Sequence, residues 1–331
     1  MHVILRSVLA IAFTFMAADA VAAKKDPQKN LTWTDPMKAQ AEDPDFSNQG
    51  EYGRDVADQP WAVQVVALGD GNFDAYLLER GLPGLGWDKS KLRVKLSGKR
   101  EGASVRFASP DSIIRARIHD GVLQVRWYGD VIARLRRIER KSPTLGAPAP
   151  AGAIVLFDGK NADEWENGVV ENGLLANSNV TTKRKFGSYQ LHLEFRTPYK
   201  PFARGQGRGN SGVYHQGRFE TQVLDSFGLE GKINETGGIY GIAAPRINMC
   251  LPPLRWQTYD VDFVEAQFDE QGELLKSARM TVRLNGVEVQ KNQEVSKVTT
   301  GSRGKGMSGK GPIFLQHHGN PVYYRNIWIV E

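Results

Sequence analysis

The feature that most constrains this chain is a period of two. Leu92-Arg-Val-Lys-Leu96 alternates strictly between apolar and polar, and Ile114, Ala116 and Ile118 alternate with Arg115 and Arg117. Side chains two apart share one face of a strand, so each segment predicts a half-buried strand. Asp120-Gly121 introduces Leu123, Val125 and Trp127, and Asn285-Gly286 separates Met280–Leu284 from Val287–Gln290. Both dipeptides accept the left-handed backbone of a two-residue hairpin, so each predicts an antiparallel pair. Trp61–Leu68 and Phe73–Leu78 read as further strands. Helical periodicity never lasts beyond about two turns in this half, apart from a short helix expected near Met37–Glu42. The expected class is all-β.

Segment composition divides the chain. Residues 1–23 carry Arg6, an apolar run from Val8 to Met16 and small residues ending Val21-Ala22-Ala23 before Lys24-Lys25. That order predicts a cleaved secretory signal peptide. The apolar run falls short of the roughly 20 residues a spanning helix needs. The expected location is periplasmic or secreted, with no membrane insertion after cleavage. Residues 24–50 are polar, contain Pro27, Pro36 and Pro44, and read as an extended lead-in. Residues 51–141 read as a smaller N-terminal β-domain without evident chemistry. Three prolines and two glycines in residues 142–152 mark a linker. Residues 153–331 hold the strands Gln190–Arg196, Gly212–Gln216, Phe219–Asp225, Thr258–Phe263, Met280–Leu284, Val287–Gln290, Ile313–His317 and Tyr323–Val330. Short strands between Gly- and Pro-rich loops predict a sandwich or jelly roll.

Composition closes off some chemistries. Cys250 is the only cysteine, so no intramolecular disulfide and no cysteine-based metal site can form. Between Met249 and Leu251 it reads as a buried, inert thiol. The net charge is +6, but the basic residues are spread out and not interleaved with aromatics. No nucleic-acid partner is expected. A mild attraction to anionic polymers stays open. Gly304-Lys-Gly-Met-Ser-Gly-Lys310 lacks the Ser or Thr and the helix of a phosphate loop, and Gly205-Gln-Gly-Arg-Gly209 has no strand–turn–helix setting. Both read as loops at the rim of a binding face.

Sorting the second-half strands by face separates an apolar set, such as Leu191, Leu193 and Phe195, from a polar one. The polar set contains Glu194, Arg196, Asn210, Tyr214, Arg218, Glu220, Gln222, Tyr240, Gln316 and His318. Amides, carboxylates, arginines and aromatic rings pair with vicinal hydroxyls and cover C–H patches. The set therefore points to an oligosaccharide or glycoside.

The same segments resemble a known family. Ile154-Val-Leu-Phe-Asp-Gly-Lys-Asn161 with Trp165 looks like the opening of the 3-keto-disaccharide hydrolases. Leu191-His-Leu-Glu-Phe-Arg196, Asn210-Ser-Gly-Val-Tyr214, Phe219-Glu-Thr-Gln-Val-Leu-Asp225, Gly238-Ile-Tyr-Gly241 and Trp256-Gln-Thr-Tyr-Asp260 resemble successive family blocks. Gly311-Pro-Ile-Phe-Leu-Gln316, His318-Gly-Asn-Pro321 and Arg325-Asn-Ile-Trp328 resemble its close. The resemblance implies a concanavalin A-like jelly roll acting on sugars already oxidised at carbon 3. His317 stands where the family usually has Asp, and Thr236 lies near a position where it often has Cys.

Cleavage of a 3-keto-glycoside needs a base for the carbon-2 proton, a group for the enolate oxygen and a donor to the leaving oxygen. His318 is the first candidate for base, since an imidazole titrates near about 6.5. Glu194 and Glu220 are alternatives, or acids if burial raises them. Arg196 or Arg218 would hold the enolate, and Tyr214 or Tyr240 would serve the leaving oxygen. Asn210, Gln222, Asp225 and Gln316 complete the expected substrate contacts. No cofactor is firmly implied. A divalent cation on Asp225, Glu220 and His318 stays open, although no compact ligand spacing supports it. Two other readings remain at this point: a lectin-like module without catalysis, and a retaining glycosidase using Glu194 with Glu220.

Overall fold

The computed structural model describes residues 30–331 except Asn177, so the expected signal peptide lies outside the described residues. The protein is an all-β molecule built as a closed barrel followed by a two-sheet sandwich.

A short helix α1 (Pro36–Glu42) precedes the barrel. Asp35 caps it by accepting from the Lys38 amide, and proline occupies its first turn. The described part of the lead-in, residues 30–50, is docked against the sandwich. Trp33 and Tyr199 bridge through their backbones, and the Tyr199 hydroxyl donates to Asp43 at 2.8 Å.

The barrel strands are β1 (Gly50–Gly53), β2 (Trp61–Gly69), β3 (Asn72–Glu79), β4 (Arg93–Glu101), β5 (Ser104–Ala108), β6 (Ile114–His119), β7 (Val122–Trp127) and β8 (Asp130–Ile138). Each pairs antiparallel with the next, and β1 also pairs with β8, which removes every free edge. Asp120 and Gly121 both take positive φ in the expected hairpin. Tyr128 and Gly129 make an equivalent turn between β7 and β8. Eight strands leave an interior just wide enough for side chains. Tyr52, Phe73, Leu77, Leu96, Phe107 and Leu123 fill it. Gly98 is needed opposite Phe107, because a methyl there would overlap the ring.

The sandwich contains β9 (Ile154–Phe157), β10 (Trp165–Glu166), β11 (Val169–Glu171), β12 (Leu174–Ala176), β13 (Val180–Thr182), β14 (Tyr189–Arg196), β15 (Ser211–His215), β16 (Phe219–Val223), β17 (Gln257–Val264), β18 (Gln267–Phe268), β19 (Leu274–Lys276), β20 (Ala278–Leu284), β21 (Val287–Val295), β22 (Phe314–Leu315) and β23 (Tyr323–Val330). The smaller sheet runs β10-β13-β22-β15-β16. The larger runs β11-β12-β23-β14-β17-β20-β21, with β9 beside β23. Leu193, Phe195, Val213, Phe219, Tyr259 and Phe263 are among the residues that fill the space between them. His215 also points into this core, between the Tyr189 hydroxyl at 2.9 Å and Thr221 at 3.0 Å. Burial lowers its pKa to about 3, so it stays neutral and structural.

The two units share packing. Ala62, Val66, Tyr76 and Leu78 on the barrel exterior meet Phe227 and Cys250 of the sandwich. Burial pushes the Cys250 thiol up to about 12. The segment 142–147 is strapped across the outer face of the large sheet. Thr144 donates to Asp260 at 2.7 Å, the Gly146 amide to Glu194 at 2.5 Å, and Asn326 to the Ala147 carbonyl at 2.9 Å.

Candidate active site

The outward face of the small sheet carries the candidate site. On β15 and β16, Tyr214 stands opposite Glu220 and Gly212 opposite Gln222. Val213, Phe219 and Val223 turn into the core, so the intervening Tyr214, Glu220 and Gln222 turn outward. With Asn210, Tyr240, Gln316 and His318 they line one concavity of about 210 Å³. Gln206, Thr300 and Gly301 complete its wall.

Glu220 is the electrostatic centre. It is buried, and burial pushes its carboxyl up to about 7 despite the opposing hydrogen bond from Tyr214. The Tyr214 hydroxyl lies 2.8 Å from Glu220 Oε2 and 2.9 Å from the Thr300 carbonyl, but carries one hydrogen. When Glu220 is protonated it donates to the tyrosine oxygen, and the tyrosine hydrogen serves Thr300. Ionised Glu220 takes that hydrogen for itself and leaves Thr300 without it. The geometry thus favours the protonated acid.

Two glycines make room for this pair. A methyl at Gly212 would overlap the Glu220 carboxyl. Gly301 takes φ +83°, and a methyl there would lie 2.6 Å from the Tyr214 hydroxyl.

The amides form a second cluster. Gln206 Oε1 accepts from Asn210 Nδ2 at 3.1 Å and from Gln222 Nε2 at 2.9 Å. Asn210 Oδ1 is buried without a hydrogen-bond partner among the described residues. A buried orphan acceptor in a polar pocket is an available contact for a ligand hydroxyl. His318 is exposed, in the irregular segment after β22, and lines the same space as Glu220.

Four expected site residues lie elsewhere. Glu194 and Arg196 project from the outer face of the large sheet. Glu194 accepts from Arg325 at 2.6 Å and Asn326 at 3.0 Å, under the strap. Burial alone would raise its carboxyl, but bonds from His192, Asn326, Gly146 and Arg325 outweigh it and hold it at about 2. Arg196 stacks over Trp256. Arg218 donates to the carbonyls of Ser308 and Gly309, anchoring the 304–310 loop rather than an enolate. Asp225 is buried against Arg208 at 2.7 Å and does not line the pocket.

The same placement separates Glu194 from Glu220, so they cannot form a retaining pair across one sugar. It also separates Asp225 from Glu220 and His318. Among the described residues no group of three or more His, Cys, Asp or Glu converges as a metal site. Gln206, on a single 3-10 turn, and Thr300 and Gly301, in a loop, carry no periodicity in the sequence. The only signal was the glycine-rich stretch Gly205–Gly209, read as a rim.

A jelly-roll sandwich with amides, a tyrosine and one protonatable carboxyl on its open face defines a carbohydrate-active protein. Residues 152–330 match the model of the 3-keto-alpha-glucoside-1,2-lyase-like domain, and the chain belongs to that family. A solved protein from Parabacteroides distasonis ATCC 8503, described as a "putative glycosyl hydrolase", shares 35% identity. The alignment covers 55% of this chain and 84% of that one, with a TM-score of 0.51. A second protein of that organism with the same description shares 22% identity, over 54% of this chain and 93% of its own, with a TM-score of 0.39. No curated protein matches the chain.

Proposed function

We propose that this protein is an exported enzyme that cleaves 3-keto-glycosides by elimination, followed or not by hydration. One observation carries the reading. Among the described residues the pocket is lined by one carboxyl, Glu220, and one imidazole, His318. Ordinary glycosidases need two carboxylates about the sugar. Elimination needs one base and one acid beside a group for the enolate oxygen, and no second carboxylate.

His318 takes the carbon-2 proton, which the neighbouring ketone acidifies. The electron pair passes into an enolate and then into a carbon-1–carbon-2 double bond, restoring the ketone. The carbon-1–oxygen bond breaks, and the leaving oxygen takes the Glu220 proton. Addition of water across the double bond gives net hydrolysis. Tyr214 holds Glu220 in place, and Asn210 Oδ1 accepts a hydroxyl of the ring. General acid and base help of this kind is worth about 10²–10⁴-fold each.

The test is incubation with methyl 3-keto-glucoside and with methyl glucoside. Methanol release from the first alone supports the reading. Release from the unoxidised glycoside overturns it. Binding of the keto-sugar without turnover would favour the lectin-like alternative.

A further inference from the structure

The barrel has a filled interior, so any role in recognition falls to its exterior. The concavity around Glu220 does not end at its own wall. Tyr240 also lines a second, shallow depression of about 600 Å³, with Ile233, Asn234 and Ala244. Gln206 and Gln222 donate to the Asn234 carbonyl at 2.9 and 3.3 Å, so one set of hydrogen bonds frames both spaces. Gly231 and Lys232 in turn belong to the second depression and to a third of about 320 Å³. The opposite wall of the third is made by the barrel, through Trp87, Lys89, Lys91 and Arg93.

The far end is strongly basic. Among the described residues four cations, Lys89, Lys91, Arg93 and Lys232, line it with one acid, Glu230. Lys89 and Arg93 are held by carbonyls and not by carboxylates. Lys89 Nζ donates to Gly231 at 3.2 Å and Pro245 at 2.9 Å, and Arg93 donates to Gly228 at 2.6 Å. These bonds fix the barrel against the 228–245 loop; Arg93 also lies over the Tyr76 ring at 3.9 Å, and among the described residues neither cation pairs with a carboxylate. Lys91 meets exposed Asp88 at 3.6 Å and Ser90 at 3.4 Å, and Lys232 meets exposed Glu230 at 3.5 Å. Surface pairs of this kind neutralise little. Trp87 is buried in the core behind them, and the cations in front suit a sugar ring bearing an anionic group.

We infer that the barrel completes an extended saccharide cleft, with the Glu220 pocket at one end and a subsite for an acidic sugar residue at the other. The inference rests on the reading of the Glu220 pocket as the sugar site. The shared chemistry is an anion on a pyranose, either the carboxylate of a uronate or a sulfate ester.

The experiment titrates the full chain with three hexasaccharides: an oligoglucuronate, a sulfated gluco-oligosaccharide and a neutral gluco-oligosaccharide. It is repeated with the surface double variant Lys91→Glu, Lys232→Glu. At low salt at least one anionic probe should bind roughly tenfold tighter than the neutral one, as a few exposed ion pairs allow. Which probe does so separates carboxylate from sulfate. The double variant should erase the preference and leave turnover of methyl 3-keto-glucoside unchanged. Equal binding of all three probes, or a preference that survives the double variant, overturns the inference. If methyl 3-keto-glucoside is cleaved while no charge preference is seen, the subsite falls and the proposed reaction stands. A charge preference without any turnover supports the subsite and sinks the proposed reaction instead.

Discussion

Replacing Glu220 with glutamine should make the protein more stable in mild alkali while removing its activity. The folded carboxyl titrates at about 7 against an ordinary 4.5. That difference is worth about 3 kcal/mol, at about 1.4 kcal/mol per unit. The sign follows from proton binding. Between these values the native state keeps a proton that the unfolded chain has released, so stability falls as pH rises from 4.5 to 7 and then levels. Glutamine does not titrate, and its amide replaces the acid as a donor to Tyr214. Wild type and Glu220→Gln should therefore unfold alike near pH 4.5. At pH 8.5 the variant should lead by up to about 3 kcal/mol, or roughly 6–12 °C in Tm for a domain of this size. Denaturant unfolding followed by tryptophan fluorescence at the two pH values measures the gap. A gap that does not change with pH would refute the raised carboxyl, and with it the assignment of Glu220 as the acid. The same substitution should lower kcat/KM by about 10²–10⁴-fold.

Four other outcomes are expected. Gly212→Ala should displace the Glu220 carboxyl and cut kcat/KM by about 10²-fold with an unchanged circular dichroism spectrum, since small misplacements are costly. Glu194→Gln should leave turnover intact. Its carboxyl is held at about 2 against an ordinary 4.5, a difference worth about 3 kcal/mol that is present above pH 4.5 and lost as pH falls towards 2. Unfolding at pH 7 and pH 3 should therefore show the wild-type advantage shrinking with acid. Arg208→Met strands Asp225 and should cost about 3–5 kcal/mol in chemical denaturation. Turnover of methyl 3-keto-glucoside should lose its activity above about pH 7, as Glu220 ionises, in a pH–rate profile of kcat/KM.

Strands whose one face is solvated were legible, because alternation survives in the sequence. Ile114–His119 alternates buried and exposed without exception. The strand Gly50–Gly53 is buried on both faces and carries no alternation, so barrel closure through β1 and β8 had no local trace. The turn at Tyr128-Gly129 was hidden because a tyrosine in the left-handed region has no compositional signal. The same limit explains the site. Period two assigns Tyr214, Glu220 and Gln222 to one face, and the structure brings them together with Asn210, Tyr240, Gln316 and His318. It also assigns Glu194 and Arg196 to a polar face, but does not say of which sheet. The two outer faces of a sandwich look in opposite directions, and only the pairing of β14 with β17 and β23 separates them. Residue type groups Arg218 and Asp225 with the site, whereas packing engages them with loop carbonyls and with Arg208.

The central claim is that carbon 2 gives up its proton to His318 during cleavage. Proton NMR of methyl 3-keto-glucoside in D₂O, with the wild type, with His318→Gln and without protein, measures this directly. Methanol release by the wild type should coincide with loss of the carbon-2 proton, either into an unsaturated sugar or as deuterium after hydration, and His318→Gln should slow both together. Methanol release with the carbon-2 proton retained would contradict the account.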